Sequence, residues 1–286
     1  MLSGLPDHGT LTINDENGRE LMKIDAAALR QALGKDTPGA LFSDIILRGT
    51  EDTSARQRCE ALGTDPDASR RVFLIELRSP ESGAAELLAE LFDEDSGSVL
   101  LSLDGCRLAL ISEDLKTPPE DTANMLISTL NTELMTASRV GFGEAAAGIT
   151  GLRRSFLQAE EALRIYGIFY EERLIADHSS LGTGGLLADV SEEACLRFLK
   201  EKSMEDVELS EEELGTVSRF LENDLKLSET ARCLFLHRNT LVYHLEKIEK
   251  KTGLDIRRFD DAMTLKLMLM TKNRLRARTD LNNDKI

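Results

Sequence analysis

From Arg71 onward the apolar positions fall into a regular succession of patterns. "RVFLIEL" is a near-continuous apolar run, as expected of a strand buried on both faces. "GAAELLAELFDE" changes to helical spacing, with Leu87, Leu88, Leu91 and Phe92 on one face. "SVLLSL" and "CRLALIS" read as two strands joined by Asp104-Gly105, a dipeptide that favours the type I′ hairpin turn. "PEDTANMLISTLNTELM" predicts a long helix with prolines 118 and 119 at its front, where a missing N–H leaves no bond unmade. "SRVGFGE" is a short strand. "TGLRRSFLQAEEALRIY" predicts a helix with Leu152, Phe156, Ala159, Leu163 and Tyr166 on its inner stripe and Thr150 as N-cap. "ERLIAD" closes the series as a strand. The order is βαββαβαβ, so the expectation is an α/β or α+β sheet domain over residues 67–180 with helices packed against it.

The flanks read differently. Within residues 1–66, "LTINDENGRELMKI" has the pattern of a hairpin turning near Asn17-Gly18. "DAAALRQALG", closed by Gly34, "PGALFSDIILRG" and "RQRCEALG" read as short helices, so this region is expected to be mixed and mostly helical. After residue 180 "HSSLGTGG" reads as a hinge, followed by the connector helix "VSEEACLRFLKEK", together residues 181–209. Residues 210–286 are expected to be all helical. Ser210 with Glu213 three residues on forms a capping box, opening a helix that buries Leu214, Val217, Phe220 and Leu221. Ser228 is expected to cap a short helix, "ETARCLF", in which Ala231 is small where two helices cross closely. A tight turn near Leu236 leads to a second helix with Leu241, Leu245 and Ile248 inward and Gly253 at its end. "DDAMTLKLMLMTKNRLRA" supplies a covering helix. Two short helices joined by a turn of this kind make a helix-turn-helix.

Composition adds little until charge is placed along the chain. The 286 residues include 41% hydrophobic and 30% charged positions, ordinary for a folded protein of two domains. No basic stretch followed by an apolar run opens the chain, and no apolar run of about 18 residues occurs, so neither a signal peptide nor a membrane span is expected. The four cysteines and four histidines are scattered without ligand spacing, which predicts reduced thiols in a cytoplasm and no metal site. The formal net charge is −16, yet Lys226–Arg278 holds 13 basic and 6 acidic residues, a local +7. With −1 on residues 279–286, residues 1–225 carry −22. An acidic body with a basic end points to a polyanion partner for that end alone.

The candidate chemistry sits in "LFLHRNTLVYHLEKIEKKTG". The start of the second helix of a helix-turn-helix enters the major groove, where free amides and the positive end of the helix dipole favour phosphate. His237, Arg238, Asn239 and Thr240 fall there. Arg238 can donate twice to guanine and Asn239 twice to adenine, while Thr240 suits phosphate. With Leu241 and Leu245 inward, Val242, Tyr243 and Lys247 are expected on the outer face, and Lys250 and Lys251 within reach of backbone only. The same pattern also fits a helical module for protein contacts, in which Asn239-Thr240 merely caps a helix.

The stretch "ETARCLFLHRNTLVYHLEKIEKKTGLDI" strongly resembles the C-terminal helix-turn-helix of PucR-type transcriptional regulators, which include purine-catabolism and carbohydrate-diacid regulators. Upstream, "SRVGFGEAAAGITGLRRSFLQAEEAL" resembles the degenerate GGDEF-like domain that precedes it in many of them. Together the resemblances cover roughly residues 40–275. They imply an α+β GGDEF-like βαββαβαβ domain followed by an all-α helix-turn-helix domain. They also imply double-stranded DNA as partner, with Arg238, Asn239, Thr240 and Tyr243 on the recognition helix. The family often has arginine where this chain has Val242 and His244, positions retained as candidate contacts. Dimerisation would set two recognition helices about 34 Å apart on a two-fold site. A small-molecule effector would bind the central domain or a partner. Where an active cyclase carries Gly-Gly-Asp/Glu-Glu-Phe, this chain reads "SLDGCRLAL". The doubled glycine and the metal-binding acid are missing, and Glu76 alone cannot hold magnesium and phosphates. No catalysis and no cofactor are therefore expected.

Overall fold

In the computed structural model the described residues are 10–14, 20–25, 37–49, 53–81, 83–92, 97–113, 115–170, 172–202 and 204–283. The chain divides into two compact units, Met1–Leu181 and Gly182–Ile286.

In the first unit β1 (Thr10–Asn14) and β2 (Glu20–Asp25) pair antiparallel, giving the expected hairpin. Its turn and the helix expected at 26–34 lie outside the described residues. Next come α1 (Pro38–Ser43), which runs into a π-helical turn at Asp44–Arg48, and α2 (Thr53–Ala61). The sheet follows as β3 (Ser69–Leu77), α3 (Ala84–Ala89), β4 (Val99–Ser102), β5 (Arg107–Ser112), α4 (Pro119–Leu134), β6 (Ser138–Phe142), the short β7 (Ala146–Ala147), α5 (Leu152–Phe169) and β8 (Ile175–Asp177). Apart from β7 this is the βαββαβαβ order read from the pattern. The strands lie in the order β4-β5-β3-β6-β8, with β7 pairing separately with β3. All pairs are antiparallel except β6 with β8.

β3 sits mid-sheet, which explains its unbroken apolar run. Val72 and Leu74 point into one core, Phe73, Ile75 and Leu77 into another. The first core is closed by α5 and by α1, the π-helical turn and α2, through Leu41, Phe42, Ile45, Ile46, Ala55 and Cys59. Residues 37–61 thus share the sheet's core, where the apolar pattern alone placed a separate region ending at 66. The second core is closed by α3 and α4. The inner stripe of α5 is buried as expected, from Leu152 through Tyr166. Helix α5 lies so close to β6 that a Cβ on Gly141 would come 2.6 Å from the Ala159 carbonyl, and one on Gly143 would collide with the Ser155 backbone. The Ser155 hydroxyl is fixed in the same contact, accepting from the Val72 amide at 3.1 Å and donating to the Glu144 carbonyl at 2.7 Å.

Three local expectations are corrected. Gly105 is not in the left-handed region, so the β4–β5 turn is not type I′. The Asp104 carboxylate instead accepts from the Cys106 amide at 2.9 Å and from Arg107 Nε at 2.7 Å, and these bonds hold it below the usual carboxylate range. Thr150 does not cap α5, because a 3-10 turn at Ile149–Gly151 intervenes and Gly151 takes the N-cap position. Leu91 of the expected α3 stripe lies beyond the helix and is exposed. The glycine-rich stretch forms a 3-10 turn at His178–Ser180 and then α6 (Gly182–Ala188), and the boundary between the two units falls inside it.

The second unit comprises α6, α7 (Glu192–Glu201), α8 (Glu211–Glu222), α9 (Leu227–Cys233), α10 (Arg238–Thr252) and α11 (Phe259–Asn283). Its core gathers Val217 and Phe220 of α8, Ala231 of α9, Leu241, Leu245 and Ile248 of α10, and Leu265 and Met268 of α11. The capping box forms in both halves: Ser210 Oγ accepts from the Glu213 amide, and Glu213 Oε2 accepts from the Ser210 amide. Leu214, expected inward, is exposed, and Glu213 and Thr216 are buried instead. Lys226, not Ser228, precedes α9, and it makes no side-chain cap bond. Among the described residues no helix is long and apolar enough to cross a membrane.

Candidate nucleic-acid interface

The turn between α9 and α10 is held by backbone alone. The Phe235 amide donates to the Arg232 carbonyl at 3.1 Å and the Leu236 amide to the Ala231 carbonyl at 2.8 Å. Phe235 sits in the left-handed region at φ 55, so the pair of bonds is a Schellman motif with phenylalanine where glycine is usual. Leu234 packs on the core behind the turn. His237 then caps α10, its Nδ1 accepting from the Asn239 amide at 3.3 Å. In the neutral ring this leaves Nε2 as the N–H donor, free of the cap.

At the start of α10 the structure brings His237, Arg238, Asn239 and Thr240 together, all exposed. Tyr243, one turn on, is 64% exposed. The helix is anchored from behind by Leu241, Leu245 and Ile248, all buried, so its tip and outer face stay open. Among the described residues no carboxylate ion-pairs with Arg238, Arg232 or Lys250.

Of the remaining predicted residues, His244 and Lys247 lie on the flank toward α8. Val242 is half-buried, and His244 Nδ1 lies 3.6 Å from Glu212 Oε1. Lys247 Nζ lies 3.4 Å from Glu213 Oε1, an ion pair without a hydrogen bond, and Lys251 Nζ donates to Glu213 Oε2 at 2.7 Å. Burial of Glu213 pushes its carboxyl up. The bonds from Lys251 and the Ser210 amide, with the nearby Lys247 ammonium, outweigh it and hold the group at about 2. A clamp of one buried carboxylate on two lysines therefore runs along the flank of α10. The capping-box pattern identified Glu213 as a cap but gave no signal of this second role.

The first unit contains a cleft of about 310 Å³ lined by Ile46, Leu103 and Phe156 with Arg107, Arg153 and Glu160. Arg107 faces Glu160 at 3.5 Å, and Arg153 donates to the Ile46 carbonyl at 2.8 Å. Glu76 is exposed on β3, opposite Arg107 in one ladder and Arg139 in the other. Among the described residues no cluster of acids, histidines or cysteines is arranged to hold a metal ion.

The chain is a mixed-sheet unit followed by a helical unit that contains a helix-turn-helix. Residues 214–271 match the PucR C-terminal helix-turn-helix domain and residues 48–165 match the GGDEF-like domain, so the chain carries both of these domains. The purine catabolism regulatory protein of Bacillus subtilis is 42% identical over 74 residues, which are 26% of this chain and 13% of that protein. The proline-responsive transcriptional activator PutR of the same organism is 25% identical over 256 residues, 80% of this chain and 62% of that one. The carbohydrate diacid regulator of Escherichia coli is 23% identical over 276 residues, 87% and 69% of the two chains. The chain thus spans 13% of the first of these relatives and 62% of the second.

Proposed function

We propose that this protein is a sequence-specific DNA-binding transcription regulator that inserts the start of α10 into the major groove. The observation that carries the reading is the tip itself. Arg238, Asn239 and Thr240 stand exposed at a helix N-terminus, unpaired with acid among the described residues, while three buried aliphatic residues hold the helix from behind. Arg238 reads guanine, Asn239 reads adenine, and His237 and Thr240 contact phosphate or base edges through their free donors. Tyr243 lies against the groove wall, flanked by Val242. His244 and Lys247 approach the backbone from the flank, in competition with Glu212 and Glu213.

The first unit serves as the sensing or dimerising part. Its cleft, with two arginines and a glutamate over an apolar floor, is the place for a small-molecule effector. The unit is not an enzyme: Asp104 in the hairpin is engaged by Cys106 and Arg107, and the hairpin lacks paired glycines for a nucleotide. A homodimer in the cytoplasm, facing a two-fold operator, completes the reading.

The test is a salt series on binding to a duplex selected from a randomised pool. Affinity is expected to fall steeply with salt, with a log–log slope of about −0.9 for each phosphate neutralised. Binding that ignores both salt and sequence would transfer the helical unit to protein contacts.

A further inference from the structure

We infer that Phe235 is a specificity residue, its ring set against a thymine C5-methyl group at the edge of the major groove; this rests on the reading of α10 as recognition helix. Three observations converge on it. The residue adopts φ 55, a conformation that is a steric outlier for a bulky side chain. The turn itself asks nothing of the ring, because its two closing bonds are made by backbone amides of residues 235 and 236. The side chain is 97% exposed, so no packing among the described residues offsets the strain. Glycine would make the same turn without strain. An aromatic ring held there, in a strained backbone, fits a role outside the fold.

Place and charge select the partner. Phe235 lies two residues before the His237 cap, between Arg232 and Arg238, which have no acid partner among the described residues. An exposed ring flanked in sequence by cations fits a surface that is strongly anionic yet carries small apolar groups. In the major groove those groups are the thymine methyls.

Duplexes that bind the full chain are first selected from a randomised pool. The wild type and Phe235→Gly are then titrated with the best duplex and with versions in which each thymine in turn is replaced by deoxyuridine, which lacks only the methyl group. Phe235→Gly is expected to unfold roughly 4 °C higher than the wild type, yet to bind at least about fourfold more weakly. One deoxyuridine replacement should weaken the wild type by about fourfold and leave Phe235→Gly unaffected. Equal binding by the two proteins overturns the inference and assigns the ring to a protein partner. So does a wild type indifferent to every deoxyuridine, or a Phe235→Gly variant that keeps the full methyl effect. If no duplex can be selected at all, the recognition-helix reading falls and this inference with it. A selected duplex with an unaffected variant removes this inference alone.

Discussion

Replacing Glu213 by glutamine separates the two roles this side chain holds. Glutamine at N3 still completes the capping box, so α8 keeps its start. What disappears is the charge facing Lys247 and Lys251. The folded carboxyl sits at about 2 against an ordinary 4.5. A folded value below the unfolded one means stability that is present above about pH 4.5 and is lost as pH falls toward 2. A displacement of about 2.5 units corresponds to about 3 kcal/mol, and solvent screening of the half-exposed lysines lowers the expectation to about 2 kcal/mol. Amide hydrogen exchange of α8 and α10 at pH 7 should therefore show Glu213→Gln less protected by about that amount. The difference should shrink to less than half in urea unfolding at about pH 3. DNA binding should move the other way. Both lysines are released, so affinity at low salt rises and the log–log salt slope steepens by up to about 1.8 if both reach phosphate. Equal protection at pH 7 would refute the clamp. Lower stability with an unchanged salt slope would refute the idea that Glu213 withholds these lysines from DNA.

The other predictions concern the first unit. Gly143→Ala drives a methyl group into the backbone of α5 and should cost about 2–3 kcal/mol in chemical denaturation, whereas Gly63→Ala, where a Cβ meets nothing, should show only the strain of its left-handed backbone. Arg70 is fully buried, bonded to Glu113 and to the Asp65 carbonyl at 2.8 Å, and its guanidinium lies 5.1 Å from the Phe42 ring centre. Arg70→Ala should cost about 3 kcal/mol or more, read as a lowered unfolding midpoint of this unit. Incubation with magnesium and GTP should yield no cyclic dinucleotide by chromatography, and product would restore the cyclase reading of the hairpin.

The element order of the sheet was legible because each strand and helix carries its own period, and β3, covered on both faces, announces itself as an unbroken apolar run. The helix-turn-helix was legible for the same reason, since Leu241, Leu245 and Ile248 fix which face is free. Caps were read less well. Ser210 has its glutamate partner and caps α8 in both halves of the box, whereas Thr150 and Ser228 are lone hydroxyl residues, and tertiary packing set those helix starts elsewhere. Asp104-Gly105 made a hairpin of another kind because the aspartate side chain found the Cys106 amide. Three features had no local signal. Arg70 is a charge buried by a distant acid, Glu113. Glu213 draws two lysines from a helix some 35 residues away in sequence. Phe235 occupies a left-handed turn that the sequence does not mark with glycine.

The claim that the start of α10 reads base pairs is tested most directly by comparing the sequence preferences of the wild type, Arg238→Ala and Lys250→Ala in a randomised-duplex selection. The account predicts that Arg238→Ala loses preference at a guanine position, by about 1–3 kcal/mol, while preferences elsewhere persist. Lys250→Ala should weaken binding evenly across sequences. Retention of every preference by Arg238→Ala would contradict it.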